Sequence, residues 1–391
     1  MKAKPTALKY LLAAAGLACA ASSAQADVKL GFMGPMSGPL AITGQDLRRG
    51  LDLALEHLDG KLGGETVTVV AANDQANPSV ATSELTRLIE QEKIDVLMGI
   101  AASNVAMAIA QPAIQAGLPV LYTHAGPEAL AGKMCAPNLF SLGHQNDQYG
   151  EAMGRYMKDK GVKNLYAMGL DFQAGWEMVD AALHGYGGEA KAKVYTPMGQ
   201  VDFAPELSRV RSSGADALYV FYPGSAAVAF VRQFAASGLK NQVQLYSVGA
   251  VVDPTVIGAQ GDAAVGTITA NTWNAGIDNP QNQRFLKDFV AKYDREPTTF
   301  AAQTYDAVMY LDAALKKAGS AQDRAKLIDA LRHNDGFKSI RGNFKLNRNH
   351  FPIQDMIIQQ VEKTDKGYQQ KILATIEGVS DRYADQCGMK W

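Results

Sequence analysis

Apolar residues along this chain follow two alternating rhythms. The stretch Val28-Lys29-Leu30-Gly31-Phe32-Met33 reads as a buried strand. It runs into a loop broken by glycine and proline, Gly34-Pro35-Met36-Ser37-Gly38-Pro39. From Gln45 the period changes: Leu47, Leu51, Ala54, Leu55 and Leu58 form an apolar stripe of helical spacing. Further strands are predicted at 66–71, 95–98, 119–122, 165–168, 217–221 and 244–247, with amphipathic segments between them. Helix starts are marked in places. Asn77-Pro78 sets a capping side chain before a proline, ahead of Leu85, Leu88 and Ile89. Asp202 precedes Phe203-Ala204-Pro205-Glu206, with Leu207 and Val210 turned inward. Strands alternating with helices imply parallel sheets covered by helices on both faces. Between 337 and 373 come short apolar runs, Met356-Ile357-Ile358 among them, that predict strands returning to the sheet edges.

The first 26 residues break this rhythm. Lys2, Lys4 and Lys9 open them, an apolar run follows from Leu11 to Ala21, and Ala24-Gln25-Ala26 has the form of an export cleavage site. The run is shorter than the roughly 20 apolar residues that span a bilayer. The residues before Cys19, Gly16-Leu17-Ala18, fit a lipid-attachment site poorly. Cleavage after Ala26 is therefore predicted, releasing a periplasmic chain. Its loss removes three lysines and no acid, moving the formal charge from −1 to −4. Basic residues are scattered rather than massed, which argues against a nucleic-acid partner.

About 365 remaining residues exceed one hydrophobic core, so two domains are expected. No Pro/Gly/Ser-rich linker separates them, which favours several short crossings over one flexible tether. Only Cys135 and Cys387 follow the cleavage site. In an oxidising compartment such a pair is expected to be bridged, tying down the C-terminal tail.

The chemistry of catalysis is not signalled. Gly34-Pro35-Met36-Ser37-Gly38 lacks the spacing of a nucleophile elbow, and no phosphate-binding glycine pattern occurs. The six histidines are dispersed, without spacing suited to zinc. A non-enzyme without cofactor or metal is expected.

Several short segments, taken in order, resemble the type I periplasmic solute-binding proteins of ABC importers, in the leucine/isoleucine/valine-binding branch. They are Gly34-Pro35-Met36-Ser37-Gly38-Pro39, Gly44 with Gly50, Asp74 ahead of Asn77-Pro78, and Gly99 with Ser103. Gly175, Asp202-Phe203, Tyr222-Pro223-Gly224 and Tyr305-Asp306-Ala307 continue the series. The resemblance covers nearly all of the chain beyond Ala26. It implies an α/β architecture of two doubly wound parallel-sheet lobes, joined by three crossovers and closing on a small ligand. Lobe one would comprise 27–145 plus 272–350, and lobe two 146–271 plus 351–391. The implied partners are a small-molecule ligand and the membrane permease, with the receptor itself a monomer.

The resemblance also implies a site. The ligand carboxylate would be held by Ser103, beside Asn104, at a helix start whose free N–H groups make a ready anion site. A plain capping role for Ser103 is compatible with this. Tyr122, His124 and Ala125 would form the other lip, where amino-acid binders carry a small turn. In lobe two the family's tyrosine is replaced by Ala174, flanked by Phe172 and Trp176, while Tyr222 matches. The acid that pairs with a substrate ammonium should fall near Gly249; none stands there, and Asp253 is the nearest. A buried ammonium without a carboxylate costs several kcal/mol. With Trp273 as a further aromatic wall, the expected ligand is an aromatic carboxylate, a benzoate or a phenylpropenoate. The chain is also similar to the aromatic-acid-binding members in its cysteine pair. The rivals are a branched-chain or other amino-acid receptor, its ammonium held by backbone carbonyls or a displaced acid such as Asp253, and a sensor presenting its ligand to a kinase or chemoreceptor. Structural roles are expected for Tyr305 and Asp306.

Overall fold

The computed structural model describes residues 27–390. The export segment, Cys19 and the cleavage site lie outside the described residues. The chain builds two sheets. Strands β1 (Val28–Gly34), β2 (Lys61–Leu62), β3 (Glu65–Asn73), β4 (Val96–Gly99), β5 (Val120–Tyr122) and β6 (Leu139–Ser141) form the first, in the order β2-β3-β1-β4-β5-β6. Apart from the β2–β3 hairpin its pairs are parallel. Helices cover both faces. Helix α1 (Ala41–His57) packs on one face with the later helices; Leu47, Leu51, Phe285, Phe289 and Leu311 share that core. On the other face α2 (Pro78–Arg87) and α3 (Ser103–Gln115) bury Leu85, Val105 and Ile109. Asn77 caps α2 as its sequence predicts, accepting from the Ser79 and Val80 amides.

After a short turn of helix, α4 (Glu128–Ala131), and the edge strand β6, the chain enters the second lobe. Its helices are α5 (Asn146–Asp159), α6 (Gln173–Tyr186), α7 (Ala204–Ser212), α8 (Ser225–Ala236) and the short α9 (Ile257–Gln260). They alternate with β7 (Leu165–Leu170), β8 (Lys193–Thr196), β9 (Ala217–Phe221), β10 (Gln244–Val248) and β11 (Ile268–Asn271). Asp202 lies one residue before the cap of α7, which is Phe203, and accepts from the Ala204 amide at 3.0 Å. The chain returns to lobe one for α10 (Pro280–Tyr293), α11 (Thr299–Ala318) and α12 (Arg324–Arg332). It ends on β12 (Phe344–Leu346), β13 (Pro352–Thr364) and β14 (Gly367–Val379). These three add antiparallel strands to the second sheet, ordered β12-β13-β11-β10-β9-β7-β8 with β14 on β13. Residues 344–346 thus sit in the second sheet, whereas the expected division at 350 gives them to lobe one. The short runs expected after 337 are in fact one long hairpin of two 13-residue strands.

The lobes are joined at 142–145, 272–279 and 333–343. One buried guanidinium in the third passage ties it to the first. Arg341 donates from Nε to Asp306 at 2.9 Å, and from Nη1 to the Gly143 carbonyl at 2.7 Å and Gln354 at 2.8 Å. Its Nη2 donates to the Leu142 carbonyl at 2.6 Å. Asp306 accepts in addition from Ser339 Oγ and the Ile340 amide. Tyr305, its neighbour on α11, places its hydroxyl 2.8 Å from His57 Nδ1.

A further link lies in the tail. Cys135 and Cys387 form a disulfide across a sequence separation of 252 residues, with Cα atoms 5.6 Å apart. Beside it Tyr383 Oη lies 2.7 Å from carboxylate oxygens of both Glu128 and Asp147, and Arg382 pairs with Asp147 at 2.6 Å. No helix among the described residues is long and apolar enough to cross a membrane.

Two stability measurements follow. Arg341→Met leaves Asp306 buried without its cation and should cost about 3–5 kcal/mol in urea unfolding, part of it restored by adding Asp306→Leu. The Cys135→Ser/Cys387→Ser double variant should lose about 2–5 kcal/mol while keeping its far-ultraviolet circular dichroism, and reductant should reproduce the loss in the parent protein.

Candidate ligand site

Parallel sheets covered by helices leave one place for a ligand: the crevice beyond the carboxyl ends of their strands. Here the two crevices face each other and enclose a cavity lined from both lobes. The lobes meet at its lip, where a Cβ on Gly224 would lie 2.7 Å from the Pro39 carbonyl oxygen. Leu40, Thr43, Ala101, Ala102 and Ser103 line it from lobe one, as do His124, Ala125 and Phe300. Phe172, Ala174, Met178, Phe221 and Gly249 line it from lobe two. His144, Asn146 and Tyr149, at the first crossing, form the back.

Ser103 is buried and is the first residue of α3; its cap is Ala102, whose side chain makes no capping bond. The capping role that a serine at a helix start suggests is therefore not what occurs, and the first-turn amides keep no side-chain partner. The approach to this helix is sharply bent. Gly99 has φ 113° and Ile100 φ 65°, a left-handed conformation that a β-branched residue adopts only under strain. Asn146 Nδ2 donates to Ser103 Oγ at 3.0 Å and to Glu177 at 2.6 Å. Since Oγ accepts there, its own proton is left to donate to a ligand. Burial pushes the Glu177 carboxyl up to about 7, opposed by hydrogen bonds from Gln173, Asn146 and the Glu128 amide.

His124 Nδ1 lies 2.8 Å from Gln303 Oε1, and its ring meets His144 and Phe300 edge-on at 4.7 and 4.5 Å. Gln303 directs its amide NH₂ to Thr272 Oγ1 at 2.9 Å, so Nδ1 of His124 carries the proton and Nε2 is the acceptor. Burial lowers its pKa to about 4, leaving it neutral at physiological pH.

The remaining expected residues divide. Ala125, Phe172 and Gly249 line the cavity with Ser103 and His124; Asn104, Tyr122, Trp176, Tyr222 and Trp273 do not. Asn104 turns its amide to the Ala76 carbonyl. Tyr122 is fully buried in the core beneath α3. Trp176 is 42 % exposed and donates its ring N–H to Asp171 at 2.9 Å. Tyr222 is enclosed by Phe203 and Phe230 and bonded to Thr196; its neighbour Phe221 reaches the cavity instead. Trp273 packs on Phe285, donates to Asn282 at 2.7 Å, and lines an adjoining outer cavity.

Gly249 leaves less room than its missing side chain suggests. A Cβ there would fall 2.4 Å from Asn271 Nδ2. The short turn Gly249–Val252 then carries Asp253 to the cavity wall, so an acid does stand in this site. Burial raises its pKa to about 7, against hydrogen bonds to Oδ1 from the Thr255 amide at 2.7 Å and hydroxyl at 2.5 Å. Asn146, Tyr149, Asn271 and Phe300 are lining residues that sequence reasoning missed.

A family profile described as periplasmic binding protein matches residues 27–367. The chain belongs to the periplasmic binding protein family. It is 28% identical over 383 residues to the Leu/Ile/Val-binding protein homolog 6 of Brucella melitensis, spanning 95% of this chain and 97% of that one. A solute-binding protein of an ABC transporter from R. palustris, solved in complex with benzoate, superposes with a TM-score of 0.87 at 32% identity, covering 93% of this chain and 100% of the other. Another, from Rhodopseudomonas palustris BisB5 in complex with 3,4-dihydroxybenzoic acid, gives 0.84 at 26% identity, covering 91% and 99%. The fold is that of the type I periplasmic binding proteins.

The neutral state of His124 can be read directly from its imidazole nitrogens by NMR. The ring should remain an Nδ1–H tautomer at pH 5.5; a doubly protonated ring at that pH contradicts the buried geometry. Gly249→Ala should force Asn271 out of place and weaken any cleft ligand at least about tenfold by calorimetry, as expected when a Cβ overlaps a packed side chain and a polar partner is displaced.

Proposed function

We propose that this protein is an exported receptor, cut after Ala26, that captures an aromatic carboxylate between its lobes and presents it to the permease of an ABC importer. The observation that carries this reading is the makeup of the cavity. One end offers Ser103 with a free hydroxyl proton and the amides of a 13-residue helix, a setting that favours an anion. The walls are Phe172, Phe221, Phe300 and Met178, surfaces suited to an apolar ring. The benzoate and dihydroxybenzoate complexes of the R. palustris proteins support the same cargo class. Binding energy then favours the closed form, which is the form a permease can distinguish.

A second reading has its own observation. Asp253 lines the cavity, and a carboxylate in that place could pair with the ammonium of an amino acid, the cargo named for the Brucella relative. Against it, the walls carry aromatic rings rather than a branched-aliphatic socket, and Asp253 is held partly protonated by its burial.

A thermal-shift panel separates the two. Ligand at 100 times its Kd adds about 2.7 kcal/mol of stability. Benzoates or cinnamates should raise the melting temperature, and leucine, valine and glutamate should not; the reverse order would make the cargo an amino acid. Ser103→Ala should weaken every carboxylate ligand by about 1–2 kcal/mol through one lost charge-assisted hydrogen bond, measured by titration calorimetry.

A further inference from the structure

The cavity has a second polar region, apart from Ser103. A wider outer cavity adjoins it and shares four of its residues: Gly249, Asp253, Asn271 and Thr299. None of Ser103, His124, Ala125, Tyr149 or Phe172 lines that outer space. The junction is therefore a part of the inner chamber that the anion anchor does not share.

Two groups at the junction are held but unsatisfied. Asp253 is 8 % exposed; its Oδ1 accepts both bonds from Thr255, and Oδ2 has no hydrogen-bond or ion-pair partner among the described residues. Asn271 is equally buried. Its Oδ1 accepts from the Thr272 amide at 3.0 Å and from Thr299 Oγ1 at 2.6 Å, which fixes the amide's orientation. Its Nδ2 therefore remains a donor, again without a partner among the described residues. A free acceptor and a free donor thus stand on the wall that the two cavities share with Gly249, whose missing side chain leaves the Asn271 amide uncovered.

A hydroxyl is the small group that can satisfy both at once, donating to one and accepting from the other. An ammonium has donors only and would face the Asn271 amide with like polarity, and a second carboxylate would face Asp253 unfavourably. A bare ring edge would cover both groups and pair neither, which costs binding energy. Resting on the cargo class proposed above, we propose that Asp253 and Asn271 read a hydroxyl at the end of the ligand opposite its carboxylate, so that the preferred cargo is a hydroxylated aromatic acid.

Titration calorimetry on the intact protein with benzoate, 4-hydroxybenzoate, 4-methoxybenzoate and leucine tests this. In the parent protein 4-hydroxybenzoate should bind at least about tenfold more tightly than benzoate or 4-methoxybenzoate, the size of about one hydrogen bond. The methoxy compound cannot donate, so this comparison needs no variant that folds. In Asp253→Ala the preference should shrink to about twofold, and Asn271→Ala should remove part of it. Equal binding of benzoate and 4-hydroxybenzoate, or a preference that survives in Asp253→Ala, overturns the assignment while leaving the cargo class intact. Tight leucine binding with no response to any aromatic acid overturns both.

Discussion

A guanidinium taken out of water must find an acceptor for each of its donors, and the hinge of this protein is arranged around that requirement. Arg341 spends its bonds on Asp306, on two carbonyls of the first crossing and on Gln354 at the start of β13. An ion pair so buried gives little net stability over an apolar substitute, but it is intolerant of displacement. Its value here is positional. Leu142 and Gly143 are held by Arg341, and His144, Asn146 and Tyr149, which form the back of the ligand cavity, follow directly from them.

From that fixed point a chain of polar contacts reaches the anion end of the cleft. Gln303 links Thr272, Tyr149 and His124; His144 meets Asn146 at 3.2 Å; Asn146 joins Ser103 of lobe one to Glu177 of lobe two. Each member limits the orientation of the next, so Ser103 presents its hydroxyl in a set direction before any ligand arrives. Such preorganisation reduces the ordering cost of binding. The two histidines in this chain are driven toward neutrality by burial, which keeps them as hydrogen-bonding groups rather than charges.

Much of this was legible beforehand. Alternating strand and helix periods located seven of the parallel strands within a residue or two, because buried strands carry unbroken apolar runs, but passed over the short β6, β8 and β11. The paired cysteines pointed to their bridge, and the glycine-rich strand ends pointed to the cleft. What failed was finer than period. Phe221 and Tyr222 sit at a strand end where one residue's difference exchanges cavity for core. Trp176 lies on the outer face of α6, while Ala174 and Met178 of the same helix look inward. Gly249 suggested an empty space without an acid. Instead Asn271 from the next strand fills it, and a short turn delivers Asp253 from four residues along. Contacts between strands and through irregular turns leave no periodic trace, and the crossing residues Asn146 and Tyr149 belong to the same class.

The tail strap beside the first crossing sets how the molecule can move. With Cys387 bonded to Cys135 and Arg382 and Tyr383 gripping the base of α5, the two halves are chained together on the hinge side, like a book stitched along its spine. Opening is then confined to a swing about that edge. The rims near Pro39 and Gly224 travel farthest for a given angle, so an occupied cavity would show itself in the distance between those rims rather than in any change at the spine.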